Sequence, residues 1–186
     1  MSNSIYLLRH AETTIDLSRP ARNWSITLDG REKARELAST EVFGTIDGIV
    51  HSSEKKAQQT ADAFAENLDV QMYELSDLDE LKREHVGVLT EAEYRLRVRS
   101  TLTNMDEPVI GWESGTSALE RFESAVNKVD IMFHKKNILV VSHGIVLTAY
   151  FCKLKNFQNI AYERWSQLKF LSWGMVRDGR VLIDIV

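Results

Sequence analysis

Three apolar runs, far apart in the sequence, end in residues able to do chemistry. "IYLLRH" ends in Arg9 and His10, and "LVVSH" ends in His143. "DGIVHSS" leads into Lys55 and Lys56. If these runs are neighbouring strands, two imidazoles, an arginine and a lysine converge at one rim. Such a cluster suits a small, dense anion, above all phosphate. Arginine offers a fork of donors that fits phosphate oxygens, and lysine offers a point charge. A neutral histidine can act as nucleophile. Side-chain cations can hold the oxygens without a metal, since phosphoryl transfer asks the protein mainly for positioning and charge stabilisation. A lone histidine at a strand end is more often a hydrogen-bonded structural residue, and adjacent lysines on a helix are more often solvated. The phosphate reading therefore rests on the runs coming together.

Other chemistries find less support. The five histidines are scattered, with no H-x-x-x-H pair and no cysteine cluster, so a metal site has no framework. The phosphate loop G-x-x-x-x-G-K-[ST] does not occur. Ser142 in "VVSHG" does not fit G-x-S-x-G. Cys152 in "LTAYFCKL" reads as a small buried hydrophobe with no neighbour in sequence to activate it.

The elements that must position these residues alternate along the chain. "SIYLLR" (4–9), "DGIVHS" (47–52) and "NILVVSHG" (137–144) read as buried strands, and "VQMYEL" (70–75) alternates as a strand. Helices are expected over 29–40, over 53–68 with Ser53 as cap, near 91–102 with Thr90 as cap, over 116–135, and after Gly144. "LKFLSW" (168–173) and "MVRDGRVLIDIV" (175–186) read as edge strands, the second turning at Asp178-Gly179. This alternation predicts an α/β fold, a three-layer α/β/α sandwich around a largely parallel sheet. Ligands in such sheets bind at the carboxyl ends of the strands. The charged stretch 76–115 reads as an insertion beyond the strand ends, within a single domain covering 1–186.

Bulk properties narrow the class. The chain has 186 residues, 44% hydrophobic and 27% charged, ordinary for a globular protein. Its formal charge is -4 with no basic block, which argues against nucleic acid and anionic membranes as partners. One cysteine and no signal-like N-terminus favour a reducing cytoplasm. No apolar run approaches the ~18 residues of a membrane span.

"LLRHAETT" resembles the L-[IL]-R-H-G-E-T signature of the histidine phosphatase superfamily, the phosphoglycerate-mutase-like proteins, with Ala11 where glycine is usual. "ITLDGREKARELA" is similar to that family's L-T-x-x-G-x-x-Q-A, and "SSEKKAQQTADAFAE" to its S-P-x-x-R-A-x-Q-T-A. "WESGTSALERF" resembles G-E-S followed by an arginine, here Arg121, and "ILVVSHGIVL" resembles the second histidine segment. These motifs fall in family order over nearly the whole chain.

The resemblance implies a catalytic set of His10, Glu80, His143 and Arg9. His10 would become phosphohistidine. Arg9, Lys56 and a protonated His143 would hold phosphoryl oxygens, with Gly144 letting the backbone come close. Lys56 stands where the family has a second arginine, so the charge is kept and the fork lost. Glu80 in "LDELKREHVG" is the favoured acid and then base, with Glu84 close behind. Arg22, in the loop "DLSRPARNWS" (16–25), is a candidate substrate contact. The expected activity is a metal-independent phosphomonoesterase that needs no cofactor. Its partner would be a small phosphorylated substrate or a phosphoprotein. The alternatives are mutase-type phosphoryl transfer and a phosphate-binding module with little turnover. His51, His85 and His134 read as structural or surface residues.

Overall fold

A computed structural model describes residues 2–66, 68, 70–83 and 89–185. Six strands form one sheet: β1 (Ser4–Arg9), β2 (Gly48–His51), β3 (Met72–Glu74), β4 (Asn137–Ser142), β5 (Trp173–Arg177) and β6 (Arg180–Ile183). Their order is β3-β2-β4-β1-β5-β6. The first four are mutually parallel, while β5 runs antiparallel to both β1 and β6.

Why β1 and β4 lie centrally follows from their side chains. Strand residues point alternately to opposite faces. Ile5 and Leu7 of β1, with Ile138 and Val140 of β4, enter one core. Tyr6 and Leu8, with Leu139 and Val141, enter the other. A strand apolar at every position is stable only when both faces are covered.

The first face is covered by α3 (Glu91–Thr103), α4 (Gly115–Met132), α5 (Gly144–Lys155) and α6 (Ala161–Gln167). The second is covered by α1 (Leu28–Ala38) and α2 (Lys55–Ala65). The result is the three-layer α/β fold expected from the alternation of elements. Thr27 caps α1, its hydroxyl accepting from the Gly30 N–H at 2.8 Å. A Cβ at Gly30 would sit 2.9 Å from the Glu12 carbonyl oxygen, so only glycine lets α1 approach the chain just after His10. Thr90 and Glu93 form a capping box at the start of α3.

Three local expectations differ from the structure. The segment 168–173 is not a strand up to Trp173, and Leu171 has φ 60°, outside the extended region. β5 is an interior strand, because β6 pairs with its outer side. α2 begins at Lys55 with Glu54 at the cap position. Ser53 instead turns its N–H and hydroxyl to Asp79, at 2.7 Å and 2.7–2.9 Å. α6 carries no clear sequence signal, since only Ala161 and Trp165 of its seven residues are buried, too few to mark an apolar stripe.

Candidate active site

β1 and β4 pair with Arg9 opposite Ser142, and the His10 N–H extends the ladder to the Ser142 carbonyl at 2.9 Å. His10 and His143 therefore leave adjacent strands at the same edge, ring centroids 5.2 Å apart. From there the chain departs to opposite faces of the sheet, toward α1 after β1 and into α5 after β4. Such a divergence opens a crevice at the carboxyl ends of the strands.

His10 is buried, at 6% exposure. Its Nδ1 lies 2.8 Å from the Ala11 carbonyl oxygen, which can only accept, so Nδ1 carries the proton and Nε2 holds the lone pair. Burial, then the neighbouring His143, Lys56 and Arg9, push the imidazole well below the usual 6.5. Ala11, at the usual glycine position, is itself buried, and its N–H is fixed to the Thr60 hydroxyl at 3.0 Å.

His143 is fully buried, with Nε2 2.6 Å from the Ser52 hydroxyl. Its Nδ1 has no hydrogen-bond partner among the described residues. Burial first, then Lys56, Arg83 and Arg9, push it well below the usual value, which favours the neutral imidazole. This direction runs against the protonated His143 that the resemblance implies.

Arg9 donates to the Leu168 carbonyl and stacks on Phe170, 4.4 Å from its ring centroid. Its Nε is buried without a partner among the described residues. A Cβ on Gly144 would lie 3.3 Å from that Nε, so the glycine gives the guanidinium its room.

Lys56 is buried, its Nζ bonded to the Glu54 carboxylate and 2.9 Å from the Ala21 carbonyl oxygen. Lys55 is exposed on the far side of the helix and does not join the cluster. Gln59 and Thr60, from the same motif, brace the site: Gln59 accepts from the Ile26 N–H at 3.0 Å, and Thr60 holds Ala11.

Glu80, 7% exposed, lies against the start of α5. Its Oε2 accepts from the Ile145 N–H at 3.0 Å, and Oε1 from Val146 and Leu81 at 3.1 and 3.0 Å. A carboxylate at a helix N-terminus satisfies orphan donors and complements the helix dipole. Its loop is held by Arg121, which donates to the carbonyls of Asp77, Asp79 and Glu80 at 2.8–3.2 Å and pairs with Glu113 at 2.5 Å. The motif resembling G-E-S followed by arginine thus grips the Glu80 loop, while Ser114 caps α4. Glu84 and His85 lie outside the described residues.

At the mouth, Arg22 is exposed, 3.4 Å from the Ser53 hydroxyl and 3.8 Å from Asp79. His51 is buried with Nδ1 2.9 Å from the Ser52 carbonyl oxygen, and His134 is exposed. The sequence did not reveal Glu54 or Arg83. Glu54 stands in a polar run and reads as solvated. Arg83, with its guanidinium 5.3 and 5.5 Å from the Tyr94 and Trp112 ring centroids, bears on Glu80 and Glu54 only once α3 has packed. Among the described residues no cluster of three His, Cys, Asp or Glu side chains is placed to hold a metal ion. Nor is any helix among them long and apolar enough to cross a membrane.

The sequence pattern of the histidine phosphatase superfamily (branch 1) matches residues 5–177. Several solved structures share the fold. Bacillus stearothermophilus YhfR superposes with a TM-score of 0.81 at 20% identity, covering 99% of this chain and 96% of that one. A phosphoserine phosphatase from Entamoeba histolytica, in complex with 3-phosphoglyceric acid, gives 0.77 at 18% identity, covering 99% and 97%. A mycobacterial glucosyl-3-phosphoglycerate phosphatase gives 0.76 at 19% identity, covering 100% and 98%. No curated protein sequence matches.

Proposed function

Because this chain belongs to the histidine phosphatase superfamily, we propose that it hydrolyses a phosphomonoester through His10, without a metal. The observation that carries this reading is the state of His10: neutral, its Nδ1 proton fixed on Ala11, and its Nε2 lone pair beside Arg9 and His143. A nucleophile needs that lone pair at neutral pH.

Nε2 attacks phosphorus and the ester oxygen leaves. Arg9, Lys56 and His143 hold the phosphoryl oxygens, and Gly144 leaves them space. Glu80, entering the step protonated on Oε2, supplies that proton to the leaving oxygen. It then takes a proton from the water that cleaves the phosphohistidine, so it ends as it began. Its Oε2, which accepts a single backbone N–H, is the oxygen with a lone pair to spare. Arg22, exposed beside Ser53 and Asp79, contacts the substrate's leaving group in this reading. The substrate is a small phosphorylated metabolite, a reading supported by relatives named for phosphoserine and glucosyl-3-phosphoglycerate. A cytoplasmic setting agrees with a single, buried cysteine.

The test is hydrolysis of an aryl phosphate with EDTA present, together with trapping of labelled protein by a denaturing alkaline quench. Turnover by the wild type, loss in His10→Ala, and an acid-labile, base-stable phosphate on the wild type alone are expected. Equal turnover by folded His10→Ala would overturn the proposal.

A further inference from the structure

One carboxylate in the pocket has no part in this reaction. Glu54 is 6% exposed and sits at the cap position of α2, yet its side chain makes no cap hydrogen bond to that helix. Both oxygens face the site instead. Oε2 is bonded to Lys56 Nζ; Oε1 accepts the Glu80 N–H at 2.9 Å and lies 3.8 Å from His143 Nε2.

Lys56 is thereby occupied. An ammonium has three donors. One is taken by Glu54 and one by the Ala21 carbonyl oxygen. Burial opposes charge on Glu54, but the Lys56 charge and hydrogen bond, the Glu80 N–H and Arg83 outweigh it, and the carboxyl lies below its usual range. The side chain that would hold phosphate thus carries its own buried counter-anion. A phosphate entering here meets a fixed negative charge and must take Lys56 from it. A carboxylate close to an incoming dianion in a water-poor site is strongly felt.

Resting on the reading of this pocket as a phosphate site, we infer that Glu54 is a built-in competitor for phosphate. It neutralises Lys56 in the resting pocket, weakens the hold on free phosphate and thereby speeds product release. One Lys56 donor is left over, and the one bound to Glu54 passes to the ligand when an incoming phosphoryl group displaces that carboxylate.

The competitor role reverses the usual sign of a mutation. Glu54→Gln keeps the shape and removes the charge. It should bind orthophosphate about tenfold more tightly than wild type, the scale of one charge-assisted hydrogen bond freed for the ligand. A merely structural Glu54 would move affinity the other way or leave it unchanged.

Orthophosphate binding is measured by calorimetry on wild type, Glu54→Gln, Lys56→Met and the double variant, with the phosphate inhibition constant in aryl phosphate turnover as a second readout. Tighter binding and stronger product inhibition in Glu54→Gln are expected. Lys56→Met should cost more affinity in the Glu54→Gln background than in wild type, because the lysine is there uncommitted. Should Glu54→Gln fail to fold, Glu54→Asp, which draws the carboxylate back by one methylene, is read in the same way and should also tighten binding. Wild type binding phosphate with the folded variant no tighter would overturn the competitor role and leave the phosphatase reading standing. Failure of every form to bind would overturn both.

Discussion

The Ser52 hydroxyl lies 2.6 Å from His143 Nε2 and accepts the Glu54 N–H at 3.1 Å. It ties the end of β2 to the imidazole at the end of β4, two strands paired in parallel. With Nδ1 unpartnered, Ser52 alone fixes the ring by hydrogen bonding among the described residues. Ser52→Ala should lower kcat about tenfold and cost about 1–2 kcal/mol of stability, the scale of a buried polar group left without its partner. Steady-state kinetics and denaturant unfolding check both.

His10 and His143 give stability a pH dependence of definite sign. Both are held below 6.5 in the fold, by burial first and neighbouring cations second. Below 6.5 the unfolded chain binds protons that the folded chain refuses. The unfolding free energy therefore falls as pH drops from 6.5, by up to ~1.4 kcal/mol per pH unit for each histidine. Urea unfolding between pH 7 and 5 should show this loss, and the double variant His10→Gln, His143→Gln should flatten it. An unchanged slope would contradict the neutral assignment.

Gly144→Ala separates the site from the scaffold. Alanine suits the first turn of α5, but its Cβ would lie 3.3–3.4 Å from the Arg9 guanidinium and from Trp165 Nε1. Arg9 must shift to make room. The expected result is a melting temperature near that of wild type and a fall of about tenfold in kcat/KM, since small displacements of a positioning group are costly.

Arg121→Ala acts on the Glu80 loop. It removes one member of a mostly buried pair with Glu113 and three bonds to loop carbonyls. Breaking such a pair costs about 3–5 kcal/mol. Arg121→Lys should recover part of the stability but less of the activity, because one ammonium cannot reach both branches of the network. Calorimetric melting and kcat of the two variants check this.

Arg22→Ala should leave melting unchanged, because the side chain is exposed and its contacts with Ser53 and Asp79 are long. KM for the true substrate should rise several-fold while KM for a minimal aryl phosphate stays put. Equal KM values on both substrates would remove Arg22 from the substrate contacts.

Legibility in the sequence followed periodicity. β1, β2 and β4 were readable because strands apolar on both faces need a covered sheet, and their ends delivered Arg9, His10 and His143 to one edge. α3 is readable from Thr90 as its cap. What stayed hidden depends on contacts between distant residues. The loop 168–173 looks like a strand by composition, but its Leu168 carbonyl is committed to Arg9. The Glu54–Lys56 pair is invisible because a buried charge in a polar run looks like a solvated one until the helix closes over it. A neutral His143 required knowing that Lys56, Arg83 and Arg9 surround it.

The register that sets Arg9 opposite Ser142 also dictates when the site comes into being. Its two histidines directly follow strands whose pairing closes most of the chain into a loop, and loop-closure entropy must be met before that contact is rewarded. α1 and α2 can dock on each other while the pocket is still in two halves. Recovery of turnover during refolding should therefore lag the recovery of helical signal, and the lag times the meeting of β1 with β4.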